Sequence, residues 1–310
     1  MLNRRLIRVK VFQSLYAYLQ DDEPSLTKSK SYLKNSIEGI DHNFQAVLVF
    51  PLEMIHYIRV NHNPAENKYL LNENDSNAYK NLSFQGLYEQ LVQHPVIKPA
   101  MEKPFVRWQD NQDVLRAVYK EIRKESTLEE YLNAPDLDEK TTQKFFLRFT
   151  AFIVERSKAF AQEMEEVNML WEDEHIPIKN ALHQFFKSIL NDEQVPEVGV
   201  EEADWEFAET LMDQTIEENE EYINLIDKAA PKWDKERIAR TDLVLMSMAL
   251  AELLHFPYIP VKVTLNEYLE LAKNYSTPQS SRFINGVLDR LVKQFRADNK
   301  LVKKGRGLVG

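Results

Sequence analysis

Asn3-Arg4-Arg5-Leu6-Ile7-Arg8-Val9-Lys10-Val11-Phe12-Gln13-Ser14-Leu15-Tyr16-Ala17-Tyr18-Leu19-Gln20 is the stretch that sets the fold class. It reads as a helix. Its apolar residues (Leu6, Ile7, Val9, Val11, Phe12, Leu15, Tyr16, Leu19) surround the axis instead of forming one stripe. A helix apolar on most sides belongs in the middle of a bundle. Its opening turns hold Arg4, Arg5, Arg8 and Lys10 and no acid. The partial positive charge of a helix start disfavours each cation there by roughly a few tenths of a kcal/mol. A compensating group outside the helix is therefore expected.

Charge is segregated along the chain. The last eighteen residues repeat the basic bias, with Lys293, Arg296, Lys300, Lys303, Lys304 and Arg306 against Asp298. Residues 11–292 hold 29 basic and 48 acidic side chains, within a 310-residue chain of net charge −10. Such segregation speaks of partners: basic ends for a polyanion, an acidic body for something else. Hydrophobic content of 44% leaves ample material for a core, and only 7 glycines favour helices. No apolar run is long enough to span a membrane. The N-terminal stretch, broken by Lys10, Gln13 and Ser14, does not read as a secretory signal. Zero cysteines exclude disulfides, thiolate zinc sites and thiol nucleophiles, and suit a cytoplasmic setting.

Helical spacing predicts further helices over 25–58, 110–124, 138–169, 177–190, 203–229, 238–254, 264–274 and 278–296. Pro51 is expected to kink or divide the second helix. The asparagine-rich stretch (Asn61, Asn63, Asn67, Asn72, Asn74, Asn77, Asn81, with Pro64) reads as loop, and 94–104, with three prolines, as an extended connector. Residues 191–199 read as a linker. Thr277-Pro278 predicts a cap and first residue for the final helix. The tail beyond Arg296, with Gly305 and Gly307, reads as disordered and polycationic. No strand alternation appears, so the class is all-α.

Catalytic motifs are missing: there is no phosphate-binding glycine loop, HExxH or nucleophile elbow. Trp171-Glu172-Asp173-Glu174-His175 reads as a solvated acidic turn, and the carboxylates between Glu201 and Glu221 as a solvated helix face. No catalytic, cofactor or metal site is expected.

Two signatures resemble the NusB family of transcription antitermination factors. The first is Arg4-Arg5-x-x-Arg8 followed by Gln13-x-Leu15-Tyr16-Ala17. The second runs Trp233, Ile238-Ala239-Arg240-x-Asp242, Leu245, Ala249-x-x-Glu252-Leu253, Pro260-x-x-Val263, Asn266-Glu267, Glu270-Leu271-Ala272-Lys273 and Ser281-x-Phe283-Ile284-Asn285-Gly286-Val287-Leu288-Asp289. The resemblance implies two packed helical bundles, one in 1–60 and one in 201–300. A helical insertion of unknown role then occupies 61–200, and 301–310 is a basic tail.

It also implies a non-catalytic RNA-binding protein. Such proteins pair with NusE, a small-subunit ribosomal protein, on the single-stranded boxA element of nascent ribosomal RNA, within a complex that includes RNA polymerase. The residues expected to meet RNA are Arg4, Arg5, Arg8, Lys10, Gln13, Gln279, Arg282 and Phe283. Arginines at a helix start can meet phosphates alongside free backbone N–H groups. Phe283 suits either a base-stacking platform or core packing. Gly286, unfavourable inside a helix, is expected to sit under a closely packed neighbour. Tyr16 and Asp242 are the expected protein-partner residues, and Asp242 also suits a plain helix-start carboxylate. Two other readings stand beside this one: a protein–protein scaffold with vestigial RNA affinity, and a relative of the NusB-like domains of ribosomal RNA methyltransferases. The latter require a cysteine and a cofactor domain that this sequence lacks.

Overall fold

A computed structural model describes residues 4–63, 73–196, 199–231 and 238–308. Among them every regular element is a helix. The helices are α1 (Arg4–Gln20), α2 (Leu26–Asn61), α3 (Glu73–Leu82), α4 (Leu87–Val92), α5 (Ile97–Glu102), α6 (Gln112–Ile122), α7 (Glu129–Leu132), α8 (Glu139–Arg156), α9 (Lys158–Val167) and α10 (Trp171–Leu190). They continue with α11 (Glu202–Glu217), α12 (Asn219–Ala229), α13 (Arg240–His255), α14 (Val261–Tyr275) and α15 (Ser280–Ala297). Trp233, Asn3, Pro64, Asn67 and Asn72, which the sequence reading used, lie outside the described residues.

The chain forms two compact units. A split unit combines Asn3–Ile37 with Glu201–Gly310, and a middle unit gathers Glu38–Val200. The division falls inside α2 and not at residue 61. From residue 38 onward the side chains of α2 bury among middle-unit partners: Phe44 meets Phe185 at 6.0 Å and Phe50 meets Trp108 at 4.8 Å. Trp108 Nε1 donates to the Ala46 carbonyl at 3.0 Å. Those contacts carry α2 through Pro51 without dividing it, although the proline removes one backbone donor. The middle unit is an aromatic-rich bundle in which Phe84 packs on Phe145, Phe146 and Phe149. Each such pair adds about 0.5–1.5 kcal/mol beyond area burial.

In the split unit α13 is the hub. Every residue from Val244 to Leu253 is buried, and α1, α11, α12, α14 and α15 all pack against it. Full burial of each large aliphatic side chain there contributes about 1.5–3 kcal/mol. α1 is enclosed almost all round from Leu6 to Phe12, as its apolar pattern predicts. Both ends of the chain thus reach one core.

Several local expectations change. Asn74, Asn77 and Asn81 lie in α3, and Asn81 is fixed by bonds from its amide to the Tyr131 and Ala134 carbonyls. The proline-rich 94–104 stretch contains α5, because Pro99 is its third residue, where no backbone donor is needed. The 138–169 helix divides at Ser157, whose side chain accepts from the Phe160 amide and starts α9. The 203–229 helix divides at Glu218, where Glu217, Glu218, Glu220 and Glu221 crowd like charges. Glu172, Asp173 and Glu174 form the first turn of α10, which suits the helix dipole, and Glu174 is not solvated as expected but buried, accepting from Asn43 Nδ2 at 2.5 Å. The final helix starts at Ser280 with Gln279 as its cap, two residues after the expected start.

The tail is ordered through 308. The Lys304 amide donates to the Pro257 carbonyl at 2.9 Å and Lys303 Nζ to the Phe256 carbonyl at 3.0 Å. Gly305 adopts φ 52°, and a Cβ on Gly307 would stand 2.0 Å from the Pro257 oxygen. Those two glycines let the backbone close onto the turn that leads into α14.

Candidate nucleic-acid interface

The arginines of α1 answer the charge problem at its start with carboxylates from three other helices. Arg4 stands 3.5 Å from Asp204 of α11, and its guanidinium lies 5.2 Å from the Phe207 ring centre. Arg5 donates through Nε and Nη2 to Glu267 of α14, both at 2.8 Å. Arg8 donates through Nε and Nη2 to Glu252 of α13 at 2.7 and 2.9 Å. Glu252 also accepts from Thr264 Oγ1 at 2.8 Å and the Tyr268 hydroxyl at 3.3 Å. Buried charges survive only when paired and hydrogen-bonded, and this network does both. Burial opposes the charge on Arg8, but the field of Glu252 and its hydrogen bonds outweigh it and raise the pKa. For Arg5 the Glu267 hydrogen bonds dominate and act the same way.

The RNA-facing set therefore divides. The Arg8 side chain is 3% exposed and Lys10 is wholly enclosed, so neither presents its charge to a phosphate. This corrects the expectation for both: core packing around α1 demands their stems, and Glu252 holds the Arg8 head. Gln13 is half-buried and lines neither cleft described below. Arg4 and Arg5 keep 47% and 41% of their side chains exposed.

Asp242 is likewise turned inward. It is 4% exposed and accepts from Ser276 Oγ at 2.5 Å. Ser280 Oγ lies 2.9 Å from Ser276 Oγ and 2.9 Å from Thr277 Oγ1. This hydroxyl cluster ties the start of α13 to the α14–α15 joint, so the Asp242 carboxylate is a helix-start group and not an open contact. Tyr16 is half-buried, its ring centre 5.9 Å from that of Phe12.

Two clefts flank the first turns of α15. One, of about 680 Å³, is lined by Arg5, Asn266, Glu267, Lys273, Arg282 and Asn285, among others. The other, of about 460 Å³, runs over Gly286 and is lined by Gln279, Arg282, Phe283, Val287, Arg290 and the end of α12. Arg282 stands on the ridge between them. It is exposed and makes no ion pair with any described residue. Phe283 is half-buried on the second cleft. Gly286 is exposed and, apart from its chain neighbours and its own helix's backbone, no described atom comes within 4 Å of where a Cβ would stand, which overturns the expected close packing over it.

Sequence reasoning missed Lys273, Arg290 and the holding roles of Glu252 and Glu267. The glutamates lie within the C-terminal signature. Their partners lie 244 and 262 positions away, a separation that leaves no local pattern. No group of three or more His, Asp or Glu side chains among the described residues is placed to hold a metal ion. No described helix is long and apolar enough to cross a membrane.

A family model described as the NusB family matches residues 167–293. Among curated relatives, the "Transcription antitermination protein NusB" of Salinibacter ruber is 44% identical over 105 residues, 34% of this chain and 66% of that protein. The protein of the same name from Chloroherpeton thalassium is 34% identical over 131 residues, 42% of this chain and 60% of its own length. The chain thus spans under two thirds of both relatives. The one from Natranaerobius thermophilus is 32% identical over 120 residues, 35% of this chain and 86% of that protein. No solved structure matches. With an all-helical core joined from both chain ends, the family model on 167–293 and 86% of a curated member matched, the chain belongs to the NusB family.

Proposed function

We propose that this chain is a non-catalytic RNA-binding adaptor in transcription antitermination. It pairs with a NusE-type small-subunit ribosomal protein, and the pair takes boxA-like single-stranded ribosomal RNA within a complex containing RNA polymerase. One observation carries the reading: Arg5 and Arg282, from opposite ends of the chain, line one cleft. The RNA face comprises Arg4, Arg5, Gln279, Arg282 and Phe283, with Lys273 beside them. Arg8 and Glu252 hold α1 so that Arg4 and Arg5 stand at the surface. Guanidinium groups suit phosphates and base faces alike, and single-stranded RNA is read by both. The partner, on this reading, meets α1 around the half-buried Tyr16, beside the exposed Ala17.

The test is a titration of labelled boxA-like RNA with this protein, alone and with the ribosomal partner, against a scrambled RNA. Preference for the boxA-like RNA, strengthened by the partner, supports the reading. Equal binding of both RNAs in both conditions favours a protein–protein scaffold instead. The charge distribution gives that alternative its one support. The split unit balances 22 basic against 22 acidic residues, whereas residues 38–200 hold 17 against 27, the whole net charge of −10.

A further inference from the structure

We infer that the joint between α9 and α10, in the middle unit, is a docking site for a basic protein segment that carries an apolar anchor. This site is independent of the RNA-binding reading. The joint reads Val167-Asn168-Met169-Leu170-Trp171. Met169 is 91% exposed, and Val167 and Ile176 to either side of it are exposed as well. Single apolar side chains on a surface are ordinary. Three of them within ten residues around one helix joint form a patch, and such patches mark contacts with other molecules. The chain pins this joint through its backbone. Asn168 Oδ1 accepts from the Leu170 amide at 2.9 Å, and the Trp171 amide donates to the Asn168 carbonyl at 2.9 Å. Glu174, with no exposed surface, accepts from Asn43 Nδ2 at 2.5 Å and has Asn168 Nδ2 at 3.5 Å. A buried carboxylate is costly unless it is hydrogen-bonded. Here it ties α2 to Asn168, so that Met169 projects from a held loop. A loop already held loses little freedom when a partner lands on it.

The charge around the patch selects the occupant. Residues 159–178 hold six acids and no lysine or arginine. Glu165 and Glu166 stand in the last turn of α9, where the helix dipole disfavours each acid by about 0.3–1 kcal/mol. Both are exposed and neither makes an ion pair with a described residue, and the same holds for Glu172. At the start of α1 the matching problem is answered inside the chain, by Asp204, Glu267 and Glu252. At the end of α9 it is left open. Glu166 adjoins Val167, and Ile176 follows Glu172 by one turn on the same face of α10, so acids flank the apolar groups. A nucleic-acid strand meets like charge here, and a second copy of the chain brings a further net charge of −10. A basic segment supplies cations for the carboxylates and an apolar side chain for Met169, whose flexible thioether adapts to the shape it meets.

The test uses the full chain with its 8 methionine methyl groups labelled with carbon-13 and the Met169 signal assigned through Met169→Gln. The probe is a helical peptide of leucine and lysine. Its controls are the same peptide with glutamate for lysine, polylysine, and single-stranded RNA. The leucine–lysine peptide should shift the Met169 signal, the glutamate peptide and the RNA should leave it in place, and polylysine should bind roughly tenfold more weakly. Met169→Asp adds a negative charge, yet it should weaken binding of the leucine–lysine peptide roughly tenfold. Joint replacement Glu165→Gln, Glu166→Gln and Glu172→Gln should weaken it and flatten its salt dependence. Both variants should melt no lower than wild type, because the altered side chains are exposed. A Met169 signal that ignores the leucine–lysine peptide overturns the site. Peptide binding by Met169→Asp equal to or tighter than wild type shows general charge attraction and overturns it too, and if that variant melts lower, Met169→Gln is read in its place. A Met169 shift with RNA or with the glutamate peptide has the same force. Self-association in sedimentation that Met169→Asp abolishes assigns the patch to a second copy, and it also overturns the basic partner.

Discussion

Arg8 of α1 and Glu252 of α13 are joined by two hydrogen bonds of 2.7 and 2.9 Å inside the core, although 244 positions separate them. Glu252 has no exposed surface at all. The pair is the point at which the first helix is locked to the hub of the split unit. Breaking one side leaves the other charge buried and unpaired.

Glu252→Gln and Arg8→Ala should each therefore destabilise the protein by about 3–5 kcal/mol. The double change Arg8→Met with Glu252→Leu should recover most of that loss, because apolar groups of similar volume need no partner. Urea unfolding of the single and double variants checks this. Single variants as stable as wild type would show that the pair contributes little.

Acid should weaken the contact between α1 and α14. Burial favours the neutral form of Glu267, but the Arg5 hydrogen bonds and the charges of Arg5 and Arg8 outweigh it and hold its pKa below the usual carboxylate range. A depressed folded pKa gives stability that is complete above the unfolded value, about 4.3, and is lost as pH falls through the folded value. Urea midpoints measured between about pH 6 and pH 2 should drop more steeply for wild type than for Glu267→Gln. Parallel curves would remove Glu267 from the acid response.

Arg282→Ala should leave melting unchanged, because its side chain holds nothing in place. It should weaken RNA binding and reduce the salt slope by about 0.7 if its phosphate contact is single-stranded. Arg8→Lys, by contrast, should affect folding first, since a lysine cannot make the same two-pronged bond. An unchanged salt slope for Arg282→Ala would take that arginine off the phosphate backbone.

Gly307→Ala should release the tail. Its Cβ would fall 2.0 Å from a backbone oxygen of Pro257, which cannot swing aside as a side chain would. The Lys304 amide, bonded to the same carbonyl at 2.9 Å, should then exchange its hydrogen faster, and trypsin should cut more readily after Lys303 and Lys304. Exchange rates equal to wild type would mean the tail holds by other contacts.

Much of the architecture was legible because burial writes itself into spacing. α1 announced its central place through apolar residues on every side, and α13 through a strongly apolar stretch broken only by Ser247 and Glu252 between Leu243 and Leu254. The acid-rich break at Glu218 and the cap at Ser157 were not legible, since both lie within patterns that continue on either side. The site was readable only in part. Arg282 and Phe283 could be picked out beside a helix start, and Arg4 and Arg5 as cations where the dipole resists them. That Arg8 serves Glu252 and not a phosphate depends on a tertiary contact with no local signature. Asp242 shows the same limit: its place in the first turn of α13 was readable, but not that Ser276 closes over it.

The most direct test of the RNA face is photo-crosslinking. The protein and its ribosomal partner would be bound to boxA-like RNA carrying 4-thiouridine, irradiated, and the linked peptides mapped by mass spectrometry. The account predicts crosslinks in the first turns of α1, around Arg4 and Arg5, and between Gln279 and Arg290 on α15. Crosslinks confined to residues 38–200, with none on those two helices, would contradict it.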